Sequence, residues 1–166
     1  MTLSVITPKS IVVMANPNIA EALDLAHDVG KKIRETSVKV EVGSLYDEAL
    51  RKLVKAKDFD LLIALGGDGT MLRAGHLCAP IEIPLLGINV GHFGFLVELE
   101  RNEWRHYLKR LVNGDFRYEE RMMLNAHCIR EDHEENLYDV INDVVVARGQ
   151  YVRPIEVEAL LNGAHI

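Results

Sequence analysis

Asp68 stands among three glycines in the run Gly66-Gly67-Asp68-Gly69-Thr70. The run follows an apolar stretch at 59–65 and precedes residues 71–77, whose spacing suits a helix. This is the order strand, turn, helix. In open parallel sheets, ligands bind at the C-terminal ends of the strands, where such a turn lies. Glycine allows an anionic group to come close to backbone N–H groups and tolerates positive φ. The N-terminus of the following helix adds free N–H groups and a dipole that favours negative charge. An acid placed there is an acceptor beside a bound phosphate. It could take a proton from a substrate hydroxyl or help to hold a magnesium ion. A plainer reading is a tight turn with a capping aspartate, but three glycines around one acid exceed what a turn needs. The run is not a Walker-type loop, since no Gly-Lys-Ser or Gly-Lys-Thr occurs. Nor is there a Gly-x-Gly-x-x-Gly with an acid about 20 residues on.

A second glycine-spaced run, Gly87, Gly91 and Gly94, leaves the next apolar stretch. His92 lies inside it, where it could reach a phosphate or simply stabilise the turn or face solvent. Asn142 and Asp143 interrupt a later apolar stretch. They suit either an edge or bulge position in a strand or a site, and the cost of burying polar groups unpaired favours the site.

The elements that must position these residues follow from pattern. Residues 10–15 form a short apolar, β-branched run, which predicts a buried strand. Asn18 followed by Glu21 predicts a capped helix start, and the apolar spacing from Ile19 to Ile33 carries that helix to about Glu35. Residues 38–42 alternate as a second strand, and Leu45, Ala49, Leu50 and Leu53 suit a second helix. Residues 59–65 and 84–88 read as two more buried strands. Asn102 is expected to cap a helix with Trp104, Tyr107, Leu108 and Leu111 on a core-facing stripe, ended by Asn113-Gly114. After about residue 115 the helical period disappears. Residues 121–130 and 137–148 read as strands around an acidic, solvated tip at 131–136, with Met122 and Met123 as core filling. Residues 155–161 alternate as a half-exposed strand. The fold class is therefore α/β. A Rossmann-like parallel sheet spans 1–115, and the start of an all-β domain spans 116–166. Asn162-Gly163 is a strong hairpin signal, yet only Ala164, His165 and Ile166 follow it. The expectation is that the natural protein continues, or that a partner supplies the missing strands.

Composition narrows the function. The 166-residue chain is 48% hydrophobic and 27% charged, the balance of an ordinary globular protein. A net charge of -6 argues against nucleic-acid binding, which shows a basic face. It leaves room for an anionic nucleotide, because amides and a metal can supply positive field locally. Cys78 and Cys128, each in an apolar stretch, read as buried thiols in a reducing compartment. The seven histidines form no metal-type pair. There is no apolar run of roughly 18 residues to cross a membrane and no secretory pattern at the N-terminus. Cytoplasm follows by elimination.

The run 66–70, followed by Met71-Leu72, resembles the diphosphate-binding signature of NAD kinases; diacylglycerol and sphingosine kinases and phosphofructokinases share its Gly-Gly-Asp-Gly core. Two further pieces separate these relatives. The run Gly87-Ile88-Asn89-Val90-Gly91-His92-Phe93-Gly94-Phe95-Leu96 is similar to the NAD kinase loop around the adenosine end of NAD. Asn142-Asp143 resembles that family's Asn-Glu pair, with a side chain one methylene shorter. The resemblance implies an enzyme that moves a phosphoryl group from ATP or polyphosphate to the 2′-hydroxyl of the adenosine ribose of NAD, giving NADP, with magnesium or manganese. It implies Asp68 as general base. Gly66, Gly67 and Gly69 would leave room for the diphosphate, with Thr70 and Asn89 in the binding motifs. Arg73 would be a phosphate-facing cation and Phe95 would line the adenine. Asn142 and Asp143 would hold nicotinamide-side or ribose groups, and Arg153 would be a basic nucleotide contact. It also implies an oligomer of the full-length protein, with NAD and ATP as partners. The family's later Asp-Gly and Thr-Pro-Thr-Gly-Ser-Thr-type segments are absent from this sequence, so these 166 residues alone are expected to be inactive. The competing readings are a lipid kinase and a non-catalytic nucleotide-binding fragment.

Overall fold

The computed structural model describes residues 7–91, 94–130, 133–147 and 155–166, with the backbone alone at 133–138. The chain divides into two compact units, Met1–Met122 and Met123–Ile166.

In the first unit, β1 (Ser10–Ala15), β2 (Lys39–Ser44), β3 (Leu61–Gly66), β4 (Leu85–Asn89) and β5 (Leu99–Glu100) form one sheet in the order β2-β1-β3-β4-β5. Every pairing is parallel. The helices are α1 (Ala22–Arg34), α2 (Glu48–Lys55), α3 (Asp68–Cys78) and α4 (Trp104–Val112). The sheet is covered on both faces, which is why its central strands are apolar at every position rather than alternating. Ile11, Val13 and Ala15 of β1 join Leu61, Ile63 and Leu65 of β3 against α1 and α4. Val12 and Met14 join Leu62 and Ala64 against α2 and α3. This is the Rossmann-like α/β fold that the strand-helix alternation predicts. The chain order reverses between β1 and β3, and in such sheets the crevice beyond the strand ends at that reversal is where ligands bind.

Several local expectations are corrected. The first helix begins at Ala22, not Asn18, and Glu21 at its N-cap makes no side-chain cap. Asn16 organises the turn instead, its Oδ1 accepting the Asn18 N–H at 3.0 Å. Asp47 caps α2, its Oδ1 accepting from Ala49 N and Leu50 N at 2.9 and 3.1 Å. Helix α3 opens at Asp68 itself rather than at Met71. Glu103, not Asn102, stands at the N-cap of α4. Trp104, Leu108 and Leu111 are buried, whereas Tyr107 is exposed. Gly114, at φ 73°, follows the end of that helix. The two-residue strand β5 has no counterpart in the sequence pattern.

In the second unit, β6 (Leu124–Arg130) and β7 (His133–Val140) form an antiparallel pair with a bulge at Cys128/Ile129. The predicted strands 121–130 and 137–148 are thus shifted. Met122 is exposed rather than core, and 141–147 carries no strand. Of the stretch 155–161, only β8 (Leu160–Leu161) is strand, and it pairs with β9 (Ala164–His165). Three residues after the turn therefore suffice for a short ladder, which Ile166 extends by donating its N–H to Ala159 O at 3.1 Å. Asn162 and Gly163 both take left-handed φ, 53° and 84°, as a two-residue hairpin turn requires. Part of the acidic tip, residues 131 and 132, lies outside the described residues. Among the described residues no helix is long and apolar enough to cross a membrane.

Candidate active site

The C-terminal ends of β1, β3 and β4 bring three loops together. Gly66 ends β3 opposite Asn89, the last residue of β4. Val90 N then donates to Gly66 O at 3.2 Å, so turn 66–70 and the loop after β4 leave the sheet side by side. On the other flank, Asn16 N donates to Leu65 O at 3.0 Å. The Asn16 side chain reaches further, donating from Nδ2 to Thr70 Oγ1 at 3.0 Å. Thr70 is buried, so Asn16 ties the exit of β1 to the first turn of α3.

Asp68 is the first residue of α3, after an extended Gly67 at the N-cap. The first N–H groups of a helix lack partners within it; here the Thr70 N–H turns back to Gly67 O at 2.9 Å, so the helix-end donors beside the carboxylate are those of Asp68 and Gly69. Asp68 Oδ2 accepts the Phe95 N–H at 3.1 Å, and Oδ1 accepts the Leu96 N–H at 3.0 Å. A carboxylate has about four lone-pair positions, so a further hydroxyl can still be received. Gly94 is shaped to this approach. A Cβ there would lie 3.0 Å from Asp68 Oδ1 and 2.7 Å from Val97 Cγ2.

The three glycines of the turn do different work. A Cβ on Gly66 would lie 2.2 Å from Thr70 Oγ1, so this glycine lets α3 start directly against the strand. The motif resemblance gives it to the diphosphate, but it is buried against Thr70. Gly67 and Gly69 are unlike it. A Cβ on either would meet nothing within 4 Å, and neither takes positive φ. No feature of the fold itself calls for glycine at these two positions, and both border open space.

Two acids that the sequence pattern does not single out hold the exit of β4. Asn89 is buried. Its Nδ2 donates to Glu100 Oε1 and Oε2 at 3.3 and 3.2 Å, and its Oδ1 accepts the Gly91 N–H at 3.0 Å. Asn89 therefore shapes the loop rather than facing a ligand with a free side chain. Glu98 Oε2 accepts the Gly87 N–H at 2.7 Å, while Glu98 N donates to Gly87 O at 3.2 Å. Glu98 as a residue is exposed, but partial burial of its carboxyl pushes its pKa up, against the opposing pull of the Gly87 N–H and Arg121. The only sequence hint is that Glu98 and Glu100 alternate with apolar Val97 and Leu99.

With this geometry, residues 5–116 match the family model of the ATP-NAD kinase N-terminal domain. The chain belongs to the NAD kinase family. The NAD kinase of Natranaerobius thermophilus is 47% identical over 107 residues, covering 64% of this chain and 37% of that protein. The NAD kinase of Thermoanaerobacter sp. strain X514 is 33% identical over 165 residues, covering 95% of this chain and 58% of that protein. The chain thus spans well under two thirds of the length of these relatives. The crystal structure of yeast NADH kinase complexed with NADH superposes with a TM-score of 0.73 at 17% identity, over 95% of this chain and 54% of that one. At that identity the likeness concerns the fold.

Other motif residues of this NAD kinase family member lie on α3, in the loop after β4 and in the second unit. Arg73 lies on the exposed side of α3 with its guanidinium 5.3 Å from the ring centre of Tyr46. Phe95 is 93% exposed, so its ring is held by no packing. Asn142 and Asp143 belong to the second unit, exposed, with Asn142 Nδ2 donating to Asp143 Oδ2 at 2.9 Å. Arg153 and His92 lie outside the described residues. Among the described residues no group of three or more His, Cys, Asp or Glu is placed to hold a metal ion. A cavity of about 830 Å³ beneath α4 is lined by Ile63, Leu86, Trp104, Phe116 and Tyr118 among others, and among the described residues its lining includes none of 66–70 or 94–96.

Proposed function

We propose that the protein carrying this chain is an NAD kinase. It transfers a phosphoryl group from ATP or polyphosphate to the 2′-hydroxyl of the adenosine ribose of NAD. The observation that carries the reading is the pair Gly67 and Gly69, free of any packing need, flanking Asp68 at a helix N-terminus. Such a site receives phosphate through backbone N–H groups and the helix dipole. Asp68 accepts the 2′-hydroxyl proton as the new O–P bond forms and the bond to the leaving group breaks. Positioning and charge neutralisation supply most of the rate in phosphoryl transfer. Arg73 contributes positive charge, Phe95 covers the adenine, and Asn142, Asp143 and Arg153 hold the remainder of the dinucleotide. A magnesium or manganese ion would neutralise phosphate charge. Magnesium takes most of its oxygens from phosphates and water, and Asp68 is the carboxylate of turn 66–70 that would stand beside it. The enzyme works in the cytoplasm, a reading supported by two unpaired cysteines, and as an oligomer.

The test supplies the full-length protein with NAD, NADH and diacylglycerol, in turn, and with ATP or polyphosphate. Formation of NADP is expected. Phosphorylation of diacylglycerol with none of either dinucleotide would replace this reading with a lipid kinase. Tight NAD binding without turnover would replace it with a binding role.

A further inference from the structure

The carboxylate read as the base is already bonded, through both oxygens, to consecutive N–H groups of the loop after β4. We propose that Asp68 is also the positioning residue of Phe95: its carboxylate fixes the backbone at 95–96 and so sets where the aromatic ring stands. The proposal deepens the function proposed above and rests on its reading of Asp68 and Phe95.

Three observations carry it. Phe95 is 93% exposed, so side-chain packing cannot place it, and its backbone must. The loop leaves room for the contact, since a Cβ on Gly94 would stand 3.0 Å from Asp68 Oδ1 and 2.7 Å from Val97 Cγ2. Asp68 itself is anchored, since Met71, Ala74 and Leu77 on its helix are buried in the core. Leu96 and Val97 pack against that same core, so the loop and the helix share one frame. Hydrogen bonds to a charged acceptor are shorter and stronger than neutral ones. A substrate hydroxyl arriving at Asp68 then shares an acceptor with the loop that carries Phe95. Placement of the ring and readiness of the base become one event.

The test begins with amide hydrogen exchange of the ligand-free chain, followed by NMR, in the wild type and in Asp68→Ala, Asp68→Asn and Gly94→Ala. Asp68→Ala should lower protection of the Phe95 and Leu96 amides by about tenfold or more, the scale of a bond to a charged group. Asp68→Asn keeps one carbonyl acceptor and should lose less. Gly94→Ala keeps the carboxylate but crowds Asp68 Oδ1 and Val97, and should give a smaller local loss. Unchanged amides in β1, β3 and β4 are the control for folding. Unchanged protection at both 95 and 96 in Asp68→Ala overturns the proposal, and this arm needs no nucleotide. In the full-length protein, Asp68→Asn should lower kcat with a small rise in KM, whereas Asp68→Ala should lower kcat and raise KM further. Equal KM in the two variants and the wild type counts against positioning. Wild type that neither binds nor phosphorylates NAD defeats the proposed function, while the exchange result still decides the clamp.

Discussion

Replacing each glycine of turn 66–70 by alanine should separate fold from ligand. In Gly66→Ala the new methyl would meet Thr70 at 2.2 Å to Oγ1 and 2.6 Å to Cβ. Thr70 cannot step aside, because it is 2% exposed and bonded to Asn16. Overpacking of this kind costs about 1–3 kcal/mol. For a chain of this size each kcal/mol moves Tm by about 2–4 °C, so Tm should fall by roughly 2–12 °C. Gly67→Ala and Gly69→Ala meet nothing within 4 Å, and such surface changes stay within about 0.5 kcal/mol. Gly69→Ala, in the first turn of α3, should lean toward stabilisation because alanine is the better helix residue. Both variants should nevertheless weaken NAD binding by about 5–150-fold, the equivalent of about 1–3 kcal/mol of steric cost against a close phosphate. Thermal unfolding gives the first quantity and calorimetry on the full-length protein the second. Equal loss of Tm in all three variants, with NAD affinity unchanged at 67 and 69, would refute the division of labour.

Three further outcomes are expected. Asn89→Ala removes the bonds to the Gly91 N–H and the Glu100 carboxylate, both exposed groups that water can then reach, which should cost about 0.5–1.5 kcal/mol per bond in urea unfolding; no measurable loss would show that the loop does not depend on this side chain. Glu98 has a raised pKa in the folded state, chiefly from burial. Its contribution is fully present below its ordinary value of 4.5 and is lost as pH rises through the folded pKa. Glu98→Gln should therefore remain flat across that window and gain on the wild type as pH rises, and parallel pH profiles of the two would contradict this. Burial pushes the Cys78 thiol up to about 12, so at mild alkaline pH a thiol reagent should label Cys128 and spare Cys78 until the chain unfolds; labelling of both at equal rates in the folded protein would contradict the burial.

The parts of the molecule that were legible in sequence are those where burial dictates residue type. The two central strands carry unbroken apolar runs because helices cover both faces. The start of α1 was less legible, since Asn16 and Asn18 are equally good turn residues and only the folded geometry shows which accepts the N–H. Glu98 and Glu100 look like solvated strand positions, and their bonds to Gly87 and Asn89 depend on how β5 meets β4. Residues 144–146 are all valine and highly β-prone. Propensity cannot supply a ladder partner, and these valines are exposed, with no strand partner among the described residues. The differing roles of Gly66, Gly67 and Gly69 are likewise invisible in the one-letter run, because they turn on what lies beyond each missing Cβ.

The most direct measurement follows labelled γ-phosphate from ATP onto NAD in the full-length protein, wild type beside Asp68→Asn, with the product's phosphate position assigned by NMR. The expected result is label on the 2′-oxygen of the adenosine ribose, with kcat in the variant lower by about 10²–10⁴-fold, the usual contribution of a general base. Label elsewhere, or near-normal turnover in Asp68→Asn, would contradict phosphoryl transfer at this turn with Asp68 as base.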